Sequence, residues 1–396
     1  MTIALPPDVN HIINTLQSHN HEAYTVGGCV RDSIMGILPK DWDIATSALP
    51  HEVAKTFPRT VETGVKHGTI TVLVNHQPYE VTTYRIDGKY LDNRRPENVT
   101  FSSEINEDLS RRDFTINAIA YNPEHGFADP HNGKKDISRK IIRCVGSPEE
   151  RFGEDALRML RAVRFAGQLG FAVDKAALDA ISAKAANLSS ISAERIREEL
   201  TRLLCSPHVQ AVKLLETTGL LPYVLYGHSY EGTIDHTIPL LAACPIDPIK
   251  KNLRLAVFFA YSGTAWEKSL QSLRFDNKTI KEVSMYIRMV HKAIPHDRYE
   301  IKKHLRQMPQ VWFENLLLLQ SIFYPYKAEM LAAILHEAQD IHAKDECYTL
   351  ANLSVKGNDL LAAGISPGKA IGDKLEELLD AVMREPGLNE KLRGLV

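Results

Sequence analysis

A chain of 396 residues is too long for one small core, and domain sizes in globular proteins predict two to four structural units. Its 44% hydrophobic content is that of an ordinary globular protein. The formal net charge of −2 excludes a general nucleic-acid coat, so an RNA partner would have to meet locally clustered Lys and Arg; a metabolic enzyme with a small substrate is equally compatible with this charge.

The cysteines predict a reducing compartment. They are odd in number, far apart and never in a C-x-x-C pair, so neither a disulfide framework nor a zinc site is indicated. The amino terminus lacks a basic segment followed by an apolar core, and no apolar run approaches membrane-spanning length. We therefore expect a soluble, cytoplasmic protein with no membrane contact and no obligatory protein partner.

The first elements form a strand, a glycine turn and a helix. A helix over residues 7–20 leads to a short strand, Tyr24–Val26, and then to Gly27 and Gly28, a pair that permits close backbone approach to a phosphate. A helix is predicted from Val30 to Leu38. Pro39 would stop it, and residues 41–44 read as a second strand.

Asp41 and Asp43 are the strongest chemical signal in this stretch. On a strand, alternate side chains share a face, so the two carboxylates would lie a few ångströms apart. Such a pair suits Mg²⁺, which prefers one or two carboxylates together with substrate phosphate oxygens. The pattern predicts phosphoryl or nucleotidyl transfer, and an Asp-x-Asp without its glycine turn would instead indicate a solvated edge strand.

Residues 69–74 and 79–85 alternate like the two strands of a hairpin. Glu80 could therefore reach the aspartate pair as a third carboxylate, although an exposed strand glutamate is the commoner case. The polar segment from Asp87 to Asn98 predicts a long loop, and residues 137–145 read as the last strand of the sheet domain.

From Pro148 onward the apolar spacing is helical, with no convincing β alternation. One helix is predicted to carry Asp155 and Arg158 as i, i+3 neighbours, with further arginines at 161 and 164 that fan out around it. Taken alone, this pattern would indicate ion pairs on a solvated helix face.

Three blocks in this order resemble one family. They are GGCVRD with DWDIAT, the segment DLSRRDFTINAIAYN from Asp108, and RFGEDALRMLRAVRFAGQLGF from Arg151. Together they are similar to the class II tRNA nucleotidyltransferase and bacterial poly(A) polymerase family, within the polymerase-β-like superfamily. The resemblance is strong from about Ala23 to Phe171 and fades beyond Leu204.

The resemblance implies an α+β fold: an N-terminal polymerase-β-like nucleotidyltransferase sheet domain, followed by an elongated all-α neck, body and tail. We place the catalytic head at 1–146, the neck with its nucleotide-selecting helix at 147–206, the body at 207–300 and the tRNA-binding tail at 301–396. It further implies CTP, ATP and tRNA as substrates, and Mg²⁺ as cofactor. The catalytic residues would be Asp41, Asp43 and Glu80, with the metal on Asp41 and Asp43, and the nucleotide contacts would be Gly28, Arg31, Arg112, Asp155, Arg158, Arg161 and Arg164.

Nucleotide selection without a nucleic-acid template is chemically plausible for such a helix. Cytosine and adenine both present an amine donor beside a ring-nitrogen acceptor, whereas uracil and guanine present a carbonyl beside an N–H. A carboxylate at Asp155 beside a guanidinium at Arg158 fits the first pair of bases and repels the second.

The body differs from relatives that carry a metal-dependent HD hydrolase domain. Where they have an adjacent His-Asp, this chain has Ala260-Tyr261, so we expect a structural and RNA-binding body rather than a hydrolytic one. Six basic residues could follow an RNA backbone, or simply cover solvated helix faces: Lys250, Lys251, Arg254, Lys302, Lys303 and Arg306.

The expected activity is addition of CCA to the 3′ end of tRNA with release of pyrophosphate. The alternatives are a poly(A) polymerase, a partial enzyme that adds only CC or only A, and a non-catalytic RNA-binding protein. In the resembled family the loop at 87–98 helps the enzyme change from CTP to ATP, and here it has full length.

Overall fold

The computed structural model describes residues 2–88, 99–228, 230 and 233–393. The chain forms two compact units: Met1–Ile238 with Lys268–Arg274, and Pro239–Glu267 with Phe275–Val396. No helix in the described ranges is long and apolar enough to cross a membrane. The finer division at residues 146, 206 and 300 stays a prediction.

The first unit contains the β-strands. They are β1 (Ala23–Val26), β2 (Ile44–Thr46), β3 (Thr60–Gly64), β4 (Thr69–Val74), β5 (Gln77–Thr83), β6 (Arg85–Asp87), β7 (Val99–Phe101), β8 (Ala120–Asn122), β9 (Gly126–Ala128), β10 (Ile141–Ile142) and β11 (Ala172–Val173). Seven of them form one mixed sheet in the order β3-β4-β5-β2-β1-β8-β9. The β4–β5 hairpin is confirmed, and β2 pairs in parallel with β5, with Ile44 opposite Val81.

The helices follow in chain order. They are α1 (Pro7–Ser18), α2 (Gly28–Ile34), α3 (Pro50–Thr56), α4 (Ile105–Ser110), α5 (Gly133–Arg139), α6 (Pro148–Glu154), α7 (Leu157–Leu169), α8 (Lys175–Lys184), α9 (Ala193–Leu204), α10 (Lys213–Thr217), α11 (Leu221–Val224), α12 (Ile234–Ala243), α13 (Lys251–Phe259), α14 (Trp266–Ser272), α15 (Asn277–Met289), α16 (Arg298–Gln307), α17 (Gln310–Phe323), α18 (Ala328–Ala343), α19 (Gly357–Ala362), α20 (Lys369–Arg384) and α21 (Leu388–Arg393). The predicted α+β class, a mixed sheet followed by helices, is confirmed.

The sheet is buried on both faces because its central strands send alternate apolar side chains to opposite sides. Ile44 packs with Ile13 of α1 and Val53 of α3 on one face. Ala45 packs with Leu109 of α4 on the other. Packing on both faces holds β1 and β2 in place, and the candidate site residues Gly28 and Asp43 lie next to the ends of these strands.

Two predicted elements near the glycine turn are shorter than expected. Helix α2 ends at Ile34, not Leu38, because Gly36 has a φ of +73° and Leu38 is 89% exposed, so no core holds a further turn. Strand β2 begins at Ile44, so Asp41 and Asp43 lie just before it, exposed rather than within the strand.

The predicted strand over 137–145 is wrong. Residues 133–139 form α5, which ends at Lys140 in the left-handed region with a φ of +56°. Only Ile141 and Ile142 form a strand, and they pair with β11, which interrupts the helical region. The apolar residues Ile137, Ile142, Cys144 and Val145 are buried in this arrangement.

In the second unit, two of the six residues predicted to follow RNA are internal. The Arg254 side chain is buried and donates to the carbonyl oxygens of Cys244 and Pro245 at 2.8 and 3.0 Å. Lys302 is fully buried, with its Nζ 2.8 Å from Glu346 and 2.9 Å from the carbonyl oxygen of Met383. Both cations hold helices together, so that prediction is wrong for them.

Candidate active site

The glycine turn places helix α2 directly after β1. Gly27 has a φ of +79°, and a Cβ there would meet Nη1 of Arg112 at 2.9 Å, so only glycine fits. The backbone N–H of Val26 donates to the carbonyl oxygen of Asp43 at 3.0 Å, which ties the aspartate segment to the end of β1. Backbone hydrogen bonding thus brings Gly28 and Asp43 to the same place.

Two cavities meet at Asp43. The arginine-lined cavity, about 480 Å³, has the lining residues Gly27, Gly28, Arg31, Asp43, Arg111, Arg112, Asp113, Asn117, Asp155, Arg158, Arg161, Phe165 and Arg195. The acidic cavity, about 800 Å³, is lined by Lys40, Asp41, Trp42, Asp43, Thr71, Gln77, Pro78, Tyr79, Glu80 and Arg202. Asp43 is the residue common to both linings.

Six arginines and three aspartates line the arginine-lined cavity. Behind this lining, Asp32 pairs with Arg31, Asp108 pairs with Arg111 and Arg112, and Glu154 pairs with Arg158. Guanidinium groups held in this way can bind phosphate oxygens bidentately.

The guanidinium groups are fixed in place before any ligand binds. Nη1 of Arg31 donates to Oδ1 of Asn117 at 2.6 Å, and its guanidinium lies 5.3 Å from the ring centre of Phe165. Arg112 and Arg111 share Asp108, with Nη2 to carboxylate distances of 3.0 and 2.7 Å.

Asp108 anchors these two arginines from a fully buried position. Burial alone would raise its pKa, but the neighbouring charges of Arg112 and Arg111 outweigh it and hold the pKa of Asp108 below its ordinary value. The carboxylate therefore stays ionised and holds both arginine side chains at the rim of the cavity.

Asp113 fixes Arg161 in the same way. Its Oδ2 accepts from Nε and Nη2 of Arg161 at 2.8 and 2.7 Å, and its Oδ1 accepts from the N–H of Phe114 at 2.8 Å. Burial would raise the pKa of Asp113, but the charges of Arg161 and Arg158 and these hydrogen bonds lower it.

The sequence predicts Asp155 and Arg158 on one helix, but in the structure Asp155 lies outside the helix that carries Arg158. Helix α6 ends at Glu154, and Asp155 is extended, with φ −138° and ψ 104°. Its Oδ1 accepts from the N–H of Leu157 at 3.1 Å, so the side chain competes with the helix and marks the start of α7. The two residues still line one cavity, but Asp155 reaches it from a break between helices.

The charges beside this break are held by different partners. Arg195 of α9 clasps the Asp155 carboxylate with two hydrogen bonds of 2.7 and 3.2 Å. Arg158 donates to Glu154 and to the carbonyl oxygens of Arg111 and Arg151, the latter two at 3.2 Å. An acceptor and a donor are thus each oriented at the cavity wall.

Arg164 lies outside the lining of the cavity, unlike the other predicted nucleotide contacts. It is buried, paired with Glu199, and its guanidinium stacks 3.9 Å from the ring centre of Phe165. This position supports the ring against which Arg31 packs.

The acidic cavity gathers the three predicted carboxylates. Glu80 lies on β5 beside β2, and it lines the same cavity as Asp41 and Asp43. The Asp43 side chain is exposed to the cavity, but the surrounding protein atoms remove part of its hydration. This desolvation raises the pKa of Asp43, the charge of Arg112 lowers it, and the charges of Glu80 and Asp41 raise it further. Repulsion among the acids marks a site suited to a cation.

Sequence reasoning assigned no site role to several residues of the two linings, among them Asn117, Phe165, Arg195 and Arg202. A signal existed for the last two, because Arg195, Glu199 and Arg202 follow the i, i+4, i+7 spacing of one helix face. The sequence alone did not say which cavity that face would meet.

The segment predicted as a switching loop, 87–98, lies outside the described residues from 89 onward.

Comparisons with known proteins show which family this chain resembles. Family profiles match residues 23–143 as a poly(A) polymerase head domain, 170–230 as an RNA and SrmB-binding site of polymerase A, and 251–392 as tRNA nucleotidyltransferase domain 2. The chain is 36% identical to the CCA-adding enzyme of Anoxybacillus flavithermus over 390 residues, covering 96% of this chain and 93% of that one. It is 39% identical to the enzyme of Geobacillus thermodenitrificans, covering 94% and 90%.

Solved structures give the same result. The CCA-adding enzyme of Bacillus stearothermophilus in complex with CTP superimposes with a TM-score of 0.82 at 31% identity, covering 96% of this chain and 94% of that one. The Thermotoga maritima enzyme, complexed with tRNA, shares the fold with a TM-score of 0.61 at 22% identity, covering 99% and 97%. The chain belongs to the family of CCA-adding enzymes.

Proposed function

We propose that this protein adds CCA to the 3′ end of tRNA, using CTP and ATP and releasing pyrophosphate. The observation that carries the proposal is the pair of cavities that meet at Asp43, one rich in fixed arginines and one rich in carboxylates. A nucleotide in the first and an RNA 3′ end in the second would place the α-phosphate and the attacking hydroxyl on either side of the same carboxylate.

The carboxylates fit a hard divalent cation. Nucleotidyltransferases of this family generally use a divalent metal, and we assign Mg²⁺ to Asp41 and Asp43. No group of three His, Cys, Asp or Glu side chains in the described part of the chain is close enough to hold a metal by itself. A Mg²⁺ ion on these two carboxylates would complete its coordination with substrate phosphates and water. When bound, it would activate the 3′-hydroxyl and neutralise charge developing on the α-phosphate.

Arg31, Arg112 and the backbone at Gly28 would position the triphosphate. Both guanidinium groups already have oriented partners, so little side-chain entropy is lost when phosphate oxygens bind. Arg161, fixed by Asp113, contributes a further positive charge to the same wall. The residues mainly supply position and charge, the two contributions that dominate phosphoryl-transfer catalysis.

Asp155 and Arg158 would select the base. Two hydrogen bonds to Arg195 leave lone pairs on the Asp155 oxygens, which can accept from the exocyclic amine of cytosine or adenine. Arg158, held by two backbone carbonyl groups, can donate to the adjacent ring nitrogen. UTP and GTP would set a carbonyl against the carboxylate and an N–H against the guanidinium.

The acidic cavity would receive the end of the RNA. The Arg202 side chain lines it and forms no hydrogen bond or ion pair with any described residue, so its guanidinium is available for an RNA phosphate. Glu80, opposite Thr71 in the hairpin, adds negative charge beside the aspartates. A cytoplasmic location belongs to this proposal, and the five free cysteines support it.

Single-nucleotide incorporation tests the function. The protein is incubated with tRNA ending at the discriminator base, at C or at CC, and with each nucleotide separately. We expect CTP to extend the first two RNAs and ATP to extend the third, followed by termination. Addition of only CC or only A would indicate a partial enzyme, an unlimited adenosine run would indicate a poly(A) polymerase, and no incorporation would contradict catalysis.

A further inference from the structure

An exposed aromatic and basic surface lies in the second unit, which we call the Tyr326 surface. Its residues are His291, Lys292, Tyr324, Tyr326 and Lys327. Tyr326 is 80% exposed, whereas Tyr226 and Phe101, the other exposed aromatic residues in the described ranges, are 39% and 38% exposed. A ring left this open buries little apolar area in the fold, so its stacking face is available to a ligand.

The surface is built rigidly. A single 3₁₀ turn, Pro325–Lys327, follows α17 and sets the Tyr324 and Tyr326 rings nearly perpendicular, at 80°, with centroids 6.0 Å apart. The Tyr324 hydroxyl lies 2.6 Å from Nδ1 of His291. The Tyr324 ring is already held in place, so binding need not order it, which lowers the entropic cost of binding.

A buried side chain ties the two contributing segments together. Gln320 of α17 is almost fully buried and donates to the carbonyl oxygens of Met289 and Lys292 at 3.1 and 2.7 Å. The end of α15 is thereby fixed against the end of α17. His291 and Lys292 consequently hold a set position beside Tyr324.

A lysine lies beside the open ring. Nζ of Lys327 lies 4.7 Å from the Tyr324 ring centre and 5.6 Å from that of Tyr326. In the part of the chain that the structure describes, no carboxylate forms an ion pair with Lys292 or Lys327. On α15, Lys281 and Arg288 lie two turns apart on one side, but Arg288 is paired with Glu267 at 3.0 Å, so only Lys281 adds to the basic character of this surface.

Aromatic faces beside unpaired cations are the combination that binds single-stranded or splayed RNA: bases stack on the rings, and the cations meet the backbone. We propose that the Tyr326 surface docks the tRNA substrate, with an unpaired or terminally stacked base on Tyr326 and phosphates at Lys292 and Lys327. The proposal rests on tRNA being the substrate, and it replaces Arg254 and Lys302 as the RNA contacts of this unit.

The test compares Tyr326→Ala with Tyr326→Phe, and with Ile249→Ala as a matched control, since Ile249 is 86% exposed in the same unit. Loss of one stacked base should raise KM and Kd for tRNA about tenfold in Tyr326→Ala. The kcat and the KM for CTP should not change, and Tyr326→Phe and Ile249→Ala should match the wild type. Lys327→Ala should reduce the slope of log Kd against log salt by about one.

Two outcomes overturn the docking surface. The first is an unchanged Kd for tRNA in Tyr326→Ala. The second is a lowered melting temperature with unchanged Kd, which would mean that the cluster only packs α15 against α17. Binding is measured directly by filter retention. Failure of the wild type to incorporate CTP or ATP would therefore count against the proposed function and not against the RNA contact.

Discussion

Replacing Arg195 with alanine tests whether a second helix holds the nucleotide-selecting carboxylate. Arg195 clasps Asp155 with two charge-assisted hydrogen bonds, and the side chains are 29% and 14% exposed. For a partly exposed pair of this kind we take about 1–2 kcal/mol, which corresponds to a factor of about 5–30. In Arg195→Ala the preference for CTP and ATP over UTP and GTP should fall by about that factor, because Asp155 is free to turn from the base.

The assay is kcat/KM for each of the four nucleotides, with a melting curve for each variant. Asp155→Ala should lose the same preference, and the double variant should lose no more than Asp155→Ala alone, because both act on one contact. Arg195→Lys should be intermediate, since an ammonium cannot clasp a carboxylate with two parallel bonds.

Arg197→Ala is the matched control for this test. Its guanidinium leaves the same helix but donates to the carbonyl oxygen of Arg274 rather than into the cavity. If Arg195→Ala slows all four nucleotides equally, or if the two single losses add in the double variant, Arg195 only stabilises the break between α6 and α7. The positioning role would then be refuted.

Four further predictions follow from single contacts. Asp41→Ala or Asp43→Ala should abolish incorporation with tRNA affinity nearly unchanged by filter binding, and equal loss of both would contradict the separation of metal site and RNA contact. Gly27→Ala should reduce incorporation at least tenfold, because its Cβ would displace Arg112. Gly36→Ala is the control, since Gly36 has a similar φ but no atom near the position of a Cβ; it should cost only about 1–2 kcal/mol of stability and leave the incorporation rate unchanged. Asp108→Asn should lower the free energy of unfolding by roughly 3–5 kcal/mol at pH 7. The folded-state pKa of Asp108 is depressed, so the stability that this carboxylate contributes is present above its unfolded pKa and is lost as pH falls through its folded pKa. The stabilities of the wild type and the variant should therefore converge in acid denaturation. A stability difference that does not depend on pH would contradict this role of Asp108. Lys302→Met should cost about 3–5 kcal/mol without changing tRNA affinity, and the partly exposed Lys303→Met should cost little in the same denaturant titration.

Local patterns predicted two features beside the cavities well. The glycine turn and the β4–β5 hairpin depend on backbone preferences and on strand alternation over a few residues, whereas Asp41 and Asp43 lie before β2 and not within the predicted strand. Interactions between residues close in sequence determine such features, so they can be predicted from the sequence.

Features that depend on contacts between residues far apart in the sequence could not be predicted. The sequence of α6 and α7 has helical apolar spacing throughout, yet the chain breaks at Asp155, whose carboxylate both starts α7 and pairs with Arg195 forty residues away. Arg254 and Lys302 look like surface cations, but their partners are carbonyl groups and a carboxylate brought together only by folding. Tertiary pairing overrides composition in each case.

One face of α9 contacts both cavities. Arg195 holds Asp155 in the arginine-lined cavity, Glu199 holds Arg164 beneath Phe165, and Arg202 lines the acidic cavity. Seven residues of helix separate the first and last by about 10 Å along the axis. If Asp155 selects the base and Arg202 binds the RNA end, as proposed, a rigid movement of α9 would shift both residues together. Such a movement would couple the position of the RNA end to the choice of the next nucleotide.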